Sequence, residues 1–407
     1  MPELLTDIEF WKYLSIPVVA ALVGWSTNWV AIKLLFYPLE AWGKPPYLGW
    51  QGIIPSKAAK MGAITVDSTL SKLGKLSDVF AAMSPQKIAR HLVENIEPRL
   101  HAYIKWIMLE EDPASWKMLP EMMQNSIVNN VRQKLSGTVG RIMDDVTENI
   151  EDMVDLKQVV IRQLVKDKRI VNRIFLECGA KEFRFIIVSG LYFGFLFGVL
   201  QMGIWFFFQN WWILPLFGVI VGYATNWIAL RIIFQPLNPH KIGPFVIQGL
   251  FLKRQHEVAN IWCEIVTKEV ITVQNIIDDM LHGEKSERTN AIVRAHVRDL
   301  IDEAMGISEP LVRFAIGSEK FAGIKETASQ KALLFSEQAM DDPAFNDERA
   351  AIVKDLIRER MIALSSEEFQ HLLRPAFQEE EFKLILMGAV LGFLAGMAQL
   401  YFVFGGI

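Results

Sequence analysis

Apolar residues gather into four long runs, and two long polar stretches with helical periodicity separate these runs. The apolar runs cover Tyr13–Tyr37, Phe185–Phe208, Trp211–Phe234 and Leu384–Phe404. A helix needs about 20 predominantly apolar residues to cross the hydrocarbon core of a bilayer. Each run meets that length, so the pattern predicts four transmembrane helices.

The first and third runs share one sequence, and so do the second and fourth. Residues 17–39 and 215–237 are identical at 10 of 23 positions, at a shift of 198 residues. At the same shift, Gly190, Gly194, Gly198 and Gln201 fall on Gly388, Gly392, Gly396 and Gln399. A repeat with a long fixed period indicates repeated structural units. The chain is therefore predicted to contain two units of the form helix, polar arm, helix.

The short link between the second and third runs fixes the predicted topology. Only Gln209 and Asn210 separate them, so both polar arms must lie on one side of the membrane. Basic residues near the span ends gather on that side, whereas the other side offers Lys12. The excess of Lys and Arg in cytoplasmic segments then predicts both arms in the cytoplasm and both termini outside a bacterial inner membrane. Two units of the same orientation predict a pseudo-two-fold axis along the membrane normal.

The predicted fold class is an all-α membrane protein with four transmembrane helices from two parallel repeats and two cytoplasmic helical arms. Apolar positions recur along the arms at helical spacing, and no alternating strand pattern stands out. One stripe predicts a helix from Glu121 to Val154, about 50 Å long at 1.5 Å per residue. The predicted segments are a first transmembrane helix (1–39), a first arm (40–183), transmembrane helices two and three (184–237), a second arm (238–383) and a fourth transmembrane helix (384–407).

Composition excludes several classes of protein. The 407 residues carry a formal net charge of −4, which gives no support for bulk nucleic-acid binding. The 2 cysteines have no metal-like spacing, so neither a disulfide framework nor a metal site is expected. No phosphate-binding loop, dinucleotide fingerprint or HExxH motif occurs, and no cofactor or catalytic residue is predicted. No Asp, Glu or His lies within the predicted spans, which argues against a proton-relay transporter.

A Thr-Asn-Trp motif lies inside the first and third spans, with a glycine ridge on the spans that follow them. The residues singled out are Thr27, Asn28, Trp29, Thr225, Asn226 and Trp227, with Gly194 and Gly392 on the ridges. An amide in hydrocarbon is costly unless it is hydrogen-bonded. The two asparagines either bond neighbouring helices together, or meet near the pseudo-two-fold axis and line a polar site for a lipid or a solute.

Basic residues follow the first and third spans and continue into two juxtamembrane elbows, residues 40–57 and 238–254. In the elbows they interleave with aromatic and apolar residues, a combination that suits the phosphate of an anionic lipid headgroup. The predicted headgroup contacts are Lys33, Lys44, Lys57, Lys60, Arg231, Lys241, Lys253 and Arg254. The alternatives are plain anchoring of Lys33 and Arg231, and elbows that simply pack under the bilayer.

These features favour a non-enzymatic membrane scaffold that contacts anionic phospholipid through its elbows and an unidentified protein partner through its arms. A homo-oligomer is compatible with this organisation. The alternative is an oligomeric channel or facilitator with a polar path along Thr27-Asn28 and Thr225-Asn226, for which a continuous polar cavity would speak. A lipid-modifying enzyme would require charged residues distant in sequence to converge under the bilayer.

The run GWSTNWVAIKLLFYPL, followed by GWQGIIPSK, resembles an uncharacterised bacterial membrane family, the domain of unknown function four-four-five of the YjiN and YheB type. The C-terminal EEEFKLILMGAVLGFLAG is similar to the closing acidic and glycine-rich span of that family. The resemblance implies a multi-pass membrane protein and supplies no activity. The second elbow departs from the pattern, with Leu252 where Pro55 is expected and Lys253 where Ser56 stands.

Overall fold

The structure, a computed structural model, describes residues 8–44, 48–67, 74–306, 313 and 317–405. The elements of the first half are α1 (Ile8–Phe36), β1 (Trp42–Lys44), β2 (Leu48–Trp50), α2 (Ile53–Ser56), α3 (Ala58–Thr65), α4 (Leu76–Ala82), α5 (Pro85–Ile96), α6 (Leu100–Glu111), α7 (Pro113–Met118), α8 (Glu121–Met153), α9 (Leu156–Lys166), α10 (Lys168–Cys178) and α11 (Ala180–Phe207). A single 3₁₀ turn, Glu97–Arg99, links α5 to α6.

The second half continues this order with a similar series. Its elements are α12 (Ile213–Phe234), β3 (His240–Ile242), β4 (Phe245–Ile247), the 3₁₀ turn Leu252–Arg254, α13 (Gln255–Ile265), the π-helical turn Val266–Val270, α14 (Val273–His282), α15 (Ser286–Met305), α16 (Ser318–Ala339), α17 (Pro343–Ile362) and α18 (Ser366–Phe404). The all-α fold class is therefore confirmed, with two short hairpins added.

Four helices in the described residues are long and apolar enough to cross a membrane, as the apolar runs predict. The candidate spans are Trp11–Phe36 in α1, Ala180–Phe207 in α11, Ile213–Phe234 in α12 and Glu381–Phe402 in α18. The second and fourth begin a few residues earlier than the apolar runs suggest. These extra turns bring Glu182 and Glu381 into the candidate spans, although the apolar runs predicted from the sequence contain no acidic residue.

The chain divides into two units. Unit 1 contains Met1–Thr69, Leu164–Ile265 and Arg360–Ile407, and unit 2 contains Leu70–Gln163 and Val266–Glu359. Unit 1 therefore holds the four candidate spans with the elbows and the helices next to them. Unit 2 takes its residues from both arms.

In unit 1, antiparallel α1 and α11 form one close helix pair, and α12 and α18 form the other. Glycines bring the backbones together. A Cβ atom built on Gly198 would lie 2.5 Å from the Cα atom of Pro17, and one built on Gly396 would lie 2.8 Å from that of Pro215. Real Cβ atoms do not approach so closely, and small residues at a helix interface allow this kind of contact. The same contact thus occurs twice, 198 residues apart.

Unit 2 is built around the long helix α8. It runs unbroken for 33 residues, so the predicted helix from Glu121 is confirmed to Met153, through Gly137 and Gly140. Helix α8 packs against α5 from its own half and against α15 from the other half, while α16 packs against α15 and against α5 and α6. The helices of the two halves are therefore interleaved within one apolar core.

Each elbow contains a two-stranded antiparallel hairpin that the sequence analysis did not predict. Trp42 pairs with Trp50 in the first, and His240 pairs with Ile247 in the second. Each strand has only three residues. Such a strand is too short to show an alternating pattern, which usually needs four to eight residues. A cis X–Pro peptide precedes each hairpin, at Tyr37-Pro38 and Gln235-Pro236.

Candidate functional site

The candidate site lies in unit 1, at the end of the span bundle where the elbows leave it. We call this the arm end, and define it by Phe36, Ala180, Phe234 and Glu381, the terminal residues of the four candidate spans there. The elbows are tied to it by hydrogen bonds. The amide N–H of Gly52 donates to the carbonyl of Pro38 (2.9 Å), and that of Gly249 donates to the carbonyl of Pro236 (3.0 Å). The start of each elbow is thereby fixed to the span before it.

Asn28 and Asn226 each join two helices. Asn28 Nδ2 donates to the carbonyl of Ile186 at 2.8 Å, and Asn226 Nδ2 donates to the carbonyl of Leu384 at 3.1 Å. Both side chains are fully buried, and neither Oδ1 has a hydrogen-bond partner. Both amides therefore act as interhelical bonds, the first interpretation offered by the sequence.

The threonines of the motif bond within their own helices. Thr27 Oγ1 donates to the carbonyl of Val23, and Thr225 Oγ1 donates to the carbonyl of Val221, both at 2.8 Å. Such bonds to the preceding turn satisfy a hydroxyl in an apolar environment. The structure therefore gives these hydroxyls no interhelical bond.

The tryptophans of the motif point outward. Trp29 is 47% exposed and Trp227 is 43% exposed. Lys33 Nζ lies 5.9 Å from the Trp29 ring centroid, and Arg231 Cζ lies 5.0 Å from that of Trp227. These distances allow cation–π attraction. Each tryptophan thus forms an aromatic and basic pair with its neighbour on an outer surface.

In each glycine ridge, the residue that faces the asparagine lies one turn before the glycine singled out from the sequence. A Cβ atom on Gly190 would lie 2.7 Å from Asn28 Nδ2, whereas one on Gly194 would lie 2.6 Å from the carbonyl oxygen of Ala20. In the second pair, Gly388 faces Asn226 and Gly392 faces Gly218. Gly194 and Gly392 pack against the backbone of the neighbouring helix, whereas the residues opposite the asparagines are Gly190 and Gly388.

Both hairpins display apolar side chains. Trp42 is 76% exposed, and Trp50, Val246 and Ile247 are also exposed. Trp50 Nε1 donates to the carbonyl of Tyr37 at 3.3 Å. Each hairpin therefore places large apolar side chains at the junction between a candidate span and the polar arm that follows it. This is the depth at which aromatic residues are enriched in membrane proteins.

The predicted headgroup contacts have different surroundings. Lys33, Lys60, Arg231, Lys241 and Lys253 are exposed or lie on the outer surface, and Lys57 is half-buried. Lys253 Nζ donates to the carbonyl of Val246 at 3.0 Å, so it bridges the second hairpin and the following turn. The side chain of Lys44 lies outside the described residues.

Arg254 departs from the prediction of a headgroup contact. Its guanidinium is 13% exposed, pairs with Glu182 at 2.5 Å, and pairs with Glu257 at 3.0 Å. Lys181 adds a second cation to Glu257 at 2.8 Å. The hydrogen bonds from Arg254 and Lys181 lower the pKa of Glu257 to about 2. Arg254 therefore holds two carboxylates of the arm end, and its charge is already neutralised.

Glu182 is a site residue that the sequence analysis passed over. Its side chain is 4% exposed, and although Oε2 pairs with Arg254, Oε1 has no partner. The sequence contained a usable signal. The acidic Glu182 immediately precedes an apolar run, and a buried carboxylate at such a place requires a cation.

Two cavities lie along unit 1. The first, of about 30 Å³, lies at the arm end, and Glu182 and Glu381 line it among ten residues without polar side chains. The second, of about 20 Å³, lies among the glycines of the span core and is lined by Thr27, Gln201 and Gln399. The two share no lining residue. Within the described residues, these two cavities do not join into the continuous polar cavity that a channel along the Thr-Asn motif would require.

In unit 2, Asp278, His282 and Glu337 place one potential metal-ligand atom each within 4.8 Å of the others. The sequence analysis expected no metal site, because the cysteines have no metal-like spacing. Asp278 already lies 3.6 Å from Arg162, and His282 and Glu337 are exposed. An exposed cluster with a competing cation gives no independent sign of a bound ion.

Comparison with known proteins points to the same class of molecule. The chain is similar to the UPF0754 membrane proteins of Staphylococcus aureus strains MRSA252, JH9 and Newman, each 27% identical over 96 residues. The match covers 23% of this chain and 25% of each relative, so it spans about a quarter of their length. No family model and no solved structure matches. These relatives and the four apolar helices support a multi-pass bacterial membrane protein of an uncharacterised family.

Proposed function

We propose that this chain is a non-enzymatic scaffold of the bacterial inner membrane. In this proposal the elbows hold the headgroups of anionic phospholipids, and unit 2 offers a helical surface to a protein partner in the cytoplasm. The chain would belong to the family of the YjiN and YheB type. The observation that carries the lipid contact is the pair of hairpins, each fixed to the end of a span and each exposing apolar side chains, with Lys241 exposed on the second.

The two hairpins suit the membrane interface on physical grounds. Trp42 and Ile247 would lie among the headgroups, where an apolar side chain gains from leaving water. Lys241, exposed on β3, would lie beside the phosphates. Lys33 and Arg231, each next to an outward-facing tryptophan, would extend the same basic layer around the bundle. Each Lys or Arg near an anionic surface contributes about 1 kcal/mol to the attraction.

Lipid retention tests the proposal. The full chain is purified in detergent, and the phosphatidylglycerol that remains bound is measured against phosphatidylcholine by mass spectrometry. Replacing Lys33, Arg231 and Lys241 together by Gln should reduce phosphatidylglycerol retention by about 100-fold, as three contacts of about 1 kcal/mol each imply. Replacing Lys44, Lys57 and Lys60 together should also weaken retention. Lys12→Gln, at the other end of the bundle, is the matched control, and unchanged retention in both triple variants would reject the proposal.

Depth labelling tests the hairpins separately. Cys178 and Cys263 are buried, so a spin label on Val246→Cys can be attached selectively. In nanodiscs this label should be more accessible to oxygen than to a water-soluble nickel reagent. A label on Glu319→Cys, which is exposed in unit 2, should show the opposite order. A hairpin label with the same accessibility as Glu319→Cys would place the hairpin in water and refute interfacial insertion.

We also infer that the two halves arose by duplication and share one orientation. The equal separations in the bonds from Asn28 to Ile186 and from Asn226 to Leu384, 158 residues in each case, support this inference. Cysteines at exposed positions in both arms should be inaccessible to an impermeant reagent applied outside the cell. Labelling of one arm alone would contradict it.

The channel alternative has less support. Glycine contacts bring the helices of each pair together beside Asn28 and Asn226, and the two cavities measure only about 30 and 20 Å³. A path for solute would need a different arrangement of these spans. Solute flux through proteoliposomes that is lost in Asn28→Leu would revive this alternative.

A further inference from the structure

We propose that the cavity in the span core binds one water molecule, which joins the two halves of unit 1 through hydrogen bonds. This span-core cavity is the one of about 20 Å³ that Thr27, Gln201 and Gln399 line. The inference does not depend on the lipid contact at the elbows. It starts from buried polar side chains that line a cavity among glycines.

Both halves contribute equivalent residues to the span-core cavity. Of its 13 lining residues, eight form four pairs at the repeat shift of 198 residues. The pairs are Ala20 and Gly218, Val23 and Val221, Gly24 and Gly222, and Gln201 and Gln399. All four candidate spans reach the cavity, so it lies between the two close helix pairs. A molecule bound there contacts both halves.

Gln399 supplies a donor that has no acceptor. Its side chain is 7% exposed, and Nε2 is buried with no hydrogen-bond partner among the described residues. A buried polar group of this kind is normally bonded either to protein or to ordered water. Because Gln399 lines the span-core cavity, a molecule bound there can accept a hydrogen bond from Nε2.

Two polar groups of the first half complete the site. Gln201, the equivalent of Gln399, is 3% exposed and lines the same cavity, so its amide can bond a molecule there. Thr27 Oγ1 donates its proton to the carbonyl of Val23, and its lone pairs can still accept. A buried water molecule typically makes about three hydrogen bonds. The two amides and the hydroxyl provide that number of partners.

Size and charge select water as the ligand. A water molecule needs about 10–15 Å³ of such a cavity. The span-core cavity, of about 20 Å³, therefore holds one and leaves no room for a larger solute. None of its 13 described lining residues carries a charge. An ion there would lose its hydration without gaining a counter-charge, which is costly in a membrane core.

The bound water makes the contact between the halves partly polar. It reaches from Gln399 on α18, in the second half, to Thr27 on α1 and Gln201 on α11, in the first. Glycine contacts hold the helices together within each close pair. The water adds a hydrogen-bonded link from one pair to the other, and such a bridge is nearly as favourable in enthalpy as a direct hydrogen bond.

Water contact at Gln399 can be measured directly. The full chain is labelled with ¹⁵N-glutamine, reconstituted into phosphatidylcholine vesicles and studied by proton-detected solid-state NMR. Magnetisation should pass from water to the side-chain amides of Gln399 and Gln201, which are assigned by replacing each with Met. A soluble paramagnetic reagent on both sides of the membrane should leave these two signals unquenched, because bulk water does not reach the cavity. Gln209, exposed between α11 and α12, should be quenched.

A pair of variants tests whether one water joins both amides. Gln399→Met keeps the length of the side chain but cannot bond the water, so the transfer from water to Gln201 should be lost. Gln330→Met, at an exposed position on α16, should leave that transfer unchanged. The thermal unfolding midpoint supplies a second measurement. Gln399→Met should lower it by about 2 °C, because a bonded donor is lost. In a dry cavity the same change removes an unbonded amide and should raise the midpoint.

Three results would overturn the proposal. No transfer from water to Gln399, or a higher midpoint in Gln399→Met, would show that no water satisfies this amide. Quenching of Gln399 by the soluble reagent would show that bulk water reaches the cavity and that no single molecule is held there. Transfer to Gln201 that persists in Gln399→Met would show that the two amides do not share one water.

Discussion

In the span core, the two halves of unit 1 make nearly identical contacts between their helices. At the arm end, their contacts differ. In the core, the contact of Gly190 with Gly24 recurs as that of Gly388 with Gly222. At the arm end, Arg254 pairs with Glu182, while the residue 198 positions before Arg254 is Ser56, which donates to its own turn at Ile53. Close packing constrains both pairs in the same way. The arm end is free to differ, and polar chemistry is found there.

The largest effect should come from closing the glycine contacts. Gly388→Leu places a side chain against the backbone of Gly222, and Gly190→Leu does the same against Gly24. Overpacking of this kind costs about 3 kcal/mol or more where backbone must move. Both variants should yield little monodisperse protein by size-exclusion chromatography. Gly203→Leu, on α11 with open space around it, should behave as the parent. A tolerated Gly388→Leu would mean that the second pair packs less closely than the first.

The next largest effect should distinguish the two halves at the arm end, where Arg254 and Ser56 occupy equivalent positions. Arg254→Ala leaves Glu182 buried without its cation and should reduce the free energy of unfolding by about 3 kcal/mol. Ser56→Ala, at the equivalent position of the first half, removes a local hydroxyl bond and should cost less than about 1 kcal/mol. Denaturant titration of both variants measures the difference. Equal losses would show that the Arg254 pair contributes no more than a surface contact.

A third comparison involves two buried amides 198 residues apart. Asn172 Nδ2 donates to the carbonyl of Phe36 at 2.7 Å, whereas Gln370 Nε2 is buried without a partner. Asn172→Leu should therefore cost about 1–3 kcal/mol, because it leaves a buried carbonyl unbonded. Gln370→Leu should be neutral or stabilising. Thermal midpoints of the two variants decide the matter, and the reverse order would mean that Gln370 has a partner in the membrane environment.

The smallest effect concerns acid stability. The pKa of Glu257 is lowered from its ordinary value of 4.5 to about 2 by Arg254 and Lys181. A carboxyl whose pKa is depressed in the folded state stabilises the fold above its unfolded pKa, and this stabilisation is lost as pH falls from about 4.5 toward 2. Glu257→Gln should flatten the dependence of the unfolding midpoint on pH in that window only. An unchanged slope would show that Glu257 has the same pKa in both states.

The span core could be predicted from the sequence because its constraints are local and repeated. Apolar runs of sufficient length, the glycine spacing and the Thr-Asn-Trp motif correctly indicate α1, α11, α12 and α18. They do not indicate the register of the helices: Asn28 faces Gly190, one turn before Gly194. Helix spacing in the sequence does not fix how one helix slides along another.

The rest depends on contacts that no local pattern contains. The hairpins have strands of three residues, which is below the length at which alternation can be recognised. The pair of Arg254 with Glu182 joins residues 72 apart, and the interleaving of α8 with α15 joins the two halves. Basic charge near a span predicted a headgroup contact for Arg254, but a buried carboxylate competes for the same cation.

The interleaved helices of unit 2 have a consequence for how this protein can be made. Helix α8 belongs to the first half and α16 to the second. Each of them also packs against a helix of the other half, so neither half alone supplies all the neighbours of its helix. A gene cut between α11 and α12 would therefore give two products that expose apolar helix faces when synthesised alone. Both would have to be present together in one membrane before either could finish folding.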